Sequence, residues 1–116
     1  MEKIFQKALE THKAMLLLHI DSKTLDHDFH QATESFYEGL FDVAHQLGEK
    51  HVDLWSHHES SDIKTKKQQA FDIIKKLREE IESYSRDNKL TLGTEDLLGS
   101  IANKLEDMQW SAKSFL

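Results

Sequence analysis

Apolar positions recur along the chain at helical intervals, in four stretches separated by polar breaks. In the first, Ile4, Phe5, Ala8, Leu9, Met15, Leu16 and Leu18 follow a period of about 3.6 residues and predict a helix from Glu2 to about His19. "DSKTLDHD" interrupts the pattern, and Asp21, Ser22 and Thr24 supply side-chain oxygens suited to a turn and a cap. A second helix is expected from near Asp26 to about His51, with a broad stripe of Phe29, Phe36, Tyr37, Leu40, Phe41, Val43, Ala44 and Leu47. The polar stretch "EKHVDLWSHHESSD" has only Val52, Leu54 and Trp55 as anchors. The second helix either stops near His51 and leaves a modest crossover, or runs through His58 into a short link. Ser60 or Ser61 is placed to cap a third helix from about Ile63 to Tyr84, carrying Phe71, Ile73, Ile74, Leu77 and Ile81. After "SRDNKLTLGT", Thr94 reads as an N-cap, with Glu95 and Asp96 against the positive helix end. Leu97, Leu98, Ile101, Ala102, Leu105, Met108, Trp110 and Phe115 mark the fourth helix. Four amphipathic helices of similar length predict an all-α four-helix bundle.

Composition narrows this picture. With 116 residues the chain suits one domain, residues 1–116, with one core. There is no proline and there are four glycines, so few positions force a break. The absence of cysteine excludes disulfides, thiolate metal sites and thiol nucleophiles, and suits a cytoplasmic protein. The apolar run from Ala14 to Leu18 is too short for a signal-peptide core or a membrane span. A net charge of −6, with no basic block beyond Lys64 to Lys67, argues against nucleic acid as a partner. No Gly-flanked serine and no Gly-rich phosphate loop is present, so hydrolase, kinase and dehydrogenase chemistry lacks its residues.

The chemistry that remains lies in the second helix. "HQATESFYEGLFDVAHQLGE" writes His-Gln-x-x-Glu twice, as His30 with Glu34 and His45 with Glu49. Residues four apart share a helix face, so each pair can reach one ion. Imidazole nitrogen with carboxylate oxygen suits iron, zinc or manganese. Glu34 and His45 are eleven residues apart, roughly 16 Å along a helix, too far for one ion. Two copies set antiparallel across a two-fold axis bring His30 and Glu34 of one chain opposite His45 and Glu49 of the other, making two sites per dimer. His19, just across the first turn, adds a fifth ligand beside His30.

This arrangement resembles the Dps-type miniferritins (DNA-binding proteins from starved cells). Their pattern is a His ending the first helix, His-x-x-x-Asp early in the second, and Asp-x-x-x-Glu after ten intervening residues. His19 matches the first His, His30 and Glu34 the first pair, and His45 and Glu49 the second. The final helix, "GTEDLLGSIANKLEDMQWSAKSFL", is also similar, with its Thr start and a Trp near the end. The likeness spans roughly residues 12 to 50 and 90 to 116. It implies a ferritin-like fold, a homodimer or higher homo-oligomer, and oxidation of Fe(II) by oxygen or peroxide at a site shared between subunits. Glu34 and His45 stand where the family has Asp. The resulting set of three His and two carboxylates leans toward zinc or a mononuclear centre.

A competing reading is a small, non-enzymatic helical interaction or structural protein with incidental histidines, since His-x-x-x-Glu pairs also satisfy each other on solvated faces. His12 and His27 are expected at exposed or capping positions. His51, His57 and His58, with Glu59 or Asp62, are expected to be a solvated group. Asp42 is a reserve ligand. Tyr37 and Trp110 are expected to be core aromatics.

Overall fold

The structure, a computed structural model, describes residues 2–55 and 63–116. Four helices make up almost all of it: α1 (Glu2–Asp21), α2 (His27–Trp55), α3 (Ile63–Asp87) and α4 (Leu92–Lys113). The all-α class and the four helices are as the periodicity predicts, and no strand occurs among the described residues. No helix among them is long and apolar enough to cross a membrane. Helix α2 extends past His51 to Trp55. The proposed caps Ser60 and Ser61, the residues His57, His58, Glu59 and Asp62, and the side chains of Leu54 and Trp55 lie outside the description; His51, expected to be solvated with them, is half-buried with its Nδ1 enclosed.

The chain divides into two compact units, Met1–Ser60 and Ser61–Leu116. In the first, α1 and α2 form an antiparallel hairpin. The helix of α1 closes with Ser22 N–H on the Leu18 carbonyl at 3.0 Å, and the turn returns with Leu25 N–H on the Ser22 carbonyl at 3.0 Å. Asp26, rather than Asp21, Ser22 or Thr24, caps α2: its Oδ1 accepts from Phe29 N–H at 2.9 Å. The Ser22 hydroxyl instead turns back to the His19 carbonyl at 2.9 Å.

Three positions seven residues apart on α1, Phe5, His12 and His19, set the register along the seam with α2. His19 meets His30, His12 meets Tyr37, and Phe5 meets Gly48. A heptad step keeps side chains on one face of a helix over several turns. Gly48 has a local reason: a Cβ there would lie 2.7 Å from Phe5 Cε1. Ala8 and Ala44 are buried, as small residues must be where helices approach closely.

In the second unit α3 packs on α4. Asn88 Nδ2–H bonds the Tyr84 carbonyl at 2.9 Å near the end of α3. The N-cap of α4 is Thr91, three residues before the expected Thr94; its extended backbone (φ −68°, ψ 159°) lets its hydroxyl oxygen accept from Thr94 N–H. Thr94 then lies inside the first turn, and its own hydroxyl oxygen accepts from Thr91 at 3.0 Å. Thr91→Ala is expected to cost about 1 kcal/mol in urea denaturation, and Thr94→Ala less, because the backbone cap survives it. The reverse ranking would return the cap to Thr94. Leu105 is the buried apolar side chain among the described residues of this unit. Arg78 Nε–H crosses to Gln109 Oε1 at 2.7 Å, and its guanidinium pairs with Glu82 at 3.1 Å.

Candidate metal centre

His19, near the end of α1, and His30, in the first turn of α2, are brought together by the hairpin turn. Their rings stack with centroids 3.9 Å apart and planes 13° from parallel. Each ring is anchored on the other's backbone. His19 Nδ1–H donates to the His30 carbonyl at 2.8 Å, and His30 Nδ1–H donates to the His19 carbonyl at 2.6 Å. Both rings are half-buried. Tyr37, two turns beyond His30 on the same face of α2, leans on His19 with centroids 5.0 Å apart. It is half-buried along the seam and not, as expected, a core aromatic.

Glu34 is exposed, one helical turn beyond His30. His45 and Glu49 form the second pair, with Nε2 2.9 Å from Oε1, and both side chains are largely in solvent. Fifteen residues of α2 separate His30 from His45, about 22 Å of helix. The structure therefore unites His19 with His30 and leaves His45 with Glu49 as a separate group. Among the described residues no three His, Asp or Glu side chains are placed to hold one ion. A nitrogen lone pair lies in its ring plane, so two nearly parallel imidazoles cannot both ligate one ion about 2.0–2.1 Å away without turning out of the stack. Within one chain the donors fall in two separate groups.

Other positions differ from expectation. His12 is neither capping nor fully exposed: it is half-buried in the seam, and its Nδ1–H donates to the Tyr37 carbonyl at 2.8 Å. Its distance of seven residues from His19 is the signal that would have found it. With Leu16, Tyr37, Glu38 and Phe41, it lines a hollow that also includes the reserve ligand Asp42. His27 is exposed at the first position of α2, as expected. Trp110 is not a core residue: it is 64% exposed, with the Lys113 ammonium 5.1 Å from its ring centroid. An open groove of about 500 Å³ adjoins His45 and Glu49, walled by Phe5, Leu9, Phe41 and Val52.

Fold and site together define an all-α chain carrying an anchored histidine pair. No protein-family model, no curated protein and no solved structure matches it.

Proposed function

We propose that this is a ferritin-like, Dps-type metal-binding protein whose centre is completed between two protomers. His19, His30 and Glu34 of one protomer and His45 and Glu49 of its partner form the ligand set. The observation that carries this reading is the anchoring of His19 and His30. Each spends Nδ1 on a main-chain carbonyl, the outer-shell bond that metal-ligating imidazoles commonly make with their second nitrogen. The donor set of imidazoles and carboxylates fits iron, zinc or manganese. Fe(II) as substrate would give up its electron there to oxygen or peroxide. The chain's own residues supply the rest: carboxylates to balance charge, and two half-buried imidazoles, one of which turns out of the stack to share the ion with the other. Apolar side chains flank both half-sites, Leu18 and Phe29 near the first and Phe41 and Val52 near the second, all exposed. A partner protomer would bury them.

The second reading is an interaction protein without metal chemistry; the apolar groove walled by Phe5, Leu9, Phe41 and Val52 favours it, because concave apolar surface suits a docking partner. An anaerobic Fe(II) titration of the metal-stripped protein, followed by air, separates the two. Saturable binding of one ion per protomer with rapid ferric absorbance, both lost in Glu49→Ala, is expected. Weak binding of equal strength in both proteins would leave the interaction reading.

A further inference from the structure

The residues around the histidine pair repeat a second pattern, which the His-x-x-x-Glu spacing hides. "HIDS" (19–22) and "HQAT" (30–33) are both His-x-x-Ser/Thr. Ser22 is 5% exposed and Thr33 0%, and they are the buried polar side chains among the described residues. Both stand against the pair. Burying a hydroxyl costs free energy unless its hydrogen bonds are met, so the use each makes of its proton is informative.

Thr33 O–H donates to the carbonyl of His30 at 2.9 Å. With its proton committed, the Thr33 oxygen can offer His19 Nδ1, 3.1 Å away, only a lone pair. Ser22 mirrors this. Its O–H donates to the carbonyl of His19 at 2.9 Å, and its oxygen lies 3.5 Å from His30 Nδ1. Each Nδ1 therefore faces two acceptors and no donor: the other histidine's carbonyl, and a hydroxyl whose proton is spent on that same carbonyl. An unprotonated Nδ1 would set lone pair against lone pair twice over.

We infer that Ser22 and Thr33 are positioning residues: the twin His-x-x-Ser/Thr clasp holds the proton of both imidazoles on Nδ1 and leaves Nε2 of each as the atom that binds. The control runs crosswise, Thr33 of α2 on His19 of α1 and Ser22 of α1 on His30 of α2. The nitrogen that meets a metal is set by the bond the other nitrogen makes. The clasp thus leaves each Nε2 lone pair free before any ion arrives; in the stacked pose one imidazole ligates, and the second joins the same ion only by turning out of the stack. The protonation pattern stands on the hydrogen bonds alone, whereas the use of Nε2 as a ligand rests on the proposed metal-binding function.

The test is nitrogen-15 NMR of the metal-free protein at a pH where the imidazoles are neutral, with Zn²⁺ titrations alongside. In the unmodified chain His19 and His30 are expected as Nδ1–H tautomers. Thr33→Val, close in shape but without the hydroxyl, is expected to lower the Nδ1–H share of His19 and spare His30; Thr33→Ser restores it. Ser22→Ala is expected to do the converse more weakly, its contact being the longer one. Zn²⁺ affinity is expected to fall about tenfold in Thr33→Val, in the range for outer-shell partners of a ligating histidine. A proton on Nε2 in the unmodified chain, an Nδ1–H share of His19 left unchanged by Thr33→Val (the carbonyls then holding the proton alone), or equal changes at both histidines in each variant, would overturn the clasp. The expected tautomers with no Zn²⁺ binding would uphold the clasp and remove the metal-binding function instead.

Discussion

Chains carrying His30→Ala and chains carrying Glu49→Ala are each expected to bind almost no Fe(II) alone, and to recover binding when unfolded together and refolded as a mixture. The reason is the geometry of a two-fold axis. In a mixed dimer one site collects both substitutions, whereas the other is built from the intact His19, His30 and Glu34 of one chain and the intact His45 and Glu49 of its partner. One site of the two is whole. The separation of His30 and His45 along α2 forbids the same rescue inside a single chain. Fe(II) binding by the purified mixed dimer, isolated with a different affinity tag on each chain, checks this. Binding that stays absent in the mixed dimer would sink the shared centre. Binding that persists in either variant alone would show that His30 and Glu49 do not act on the same ion.

Replacing Leu105 by alanine is expected to destabilise the α3–α4 unit by about 2–3 kcal/mol, toward the low end for a buried leucine because the surrounding apolar residues are themselves only half-buried. Leu105 is 8% exposed, and Leu97, on the same helix, is 58% exposed. Leucine and alanine have similar helix propensity, so the difference between the two variants reports packing and not helix formation. Leu97→Ala is expected to shift the urea midpoint little. Far-ultraviolet circular dichroism through the transition measures both. Equal shifts would mean that Leu105 does not anchor the unit.

The helices were legible because their signal is local. An apolar residue every three or four positions can be counted without knowing what it packs against, and a chain with no proline has little to contradict the count. Caps were less legible. Thr91 and Thr94 have the same side chain three residues apart, and only the extended backbone at Thr91 makes it the cap. Trp110 misled for a related reason: helical phase puts it on the apolar stripe, but phase does not say how far toward the rim of that stripe a residue lies. His12 was hidden among ordinary surface histidines until α1 lay against α2.

At the candidate centre the division is sharper. Chelate spacing is a property of one helix, so the two His-x-x-x-Glu pairs and their separation along α2 follow from the sequence. What the sequence does not order is the space between helices. Ser22 reads as a turn residue and Thr33 carries no signal of its own, since serine and threonine bond nearby backbone in many surface settings. Tertiary structure alone brought "HIDS" and "HQAT" face to face, because a hydrogen bond between groups eleven residues apart depends on how a turn closes and on which faces two helices then press together. The sequence by itself determined the four helices, their apolar stripes and the spacing of the histidines and carboxylates. Only packing decided that His19 and His30 stack, that their Nδ1 atoms are enclosed by acceptors, and that the hydroxyls of Ser22 and Thr33 are buried. Burial is what turns a hydroxyl's choice of partner from one solvent can replace into one the fold enforces.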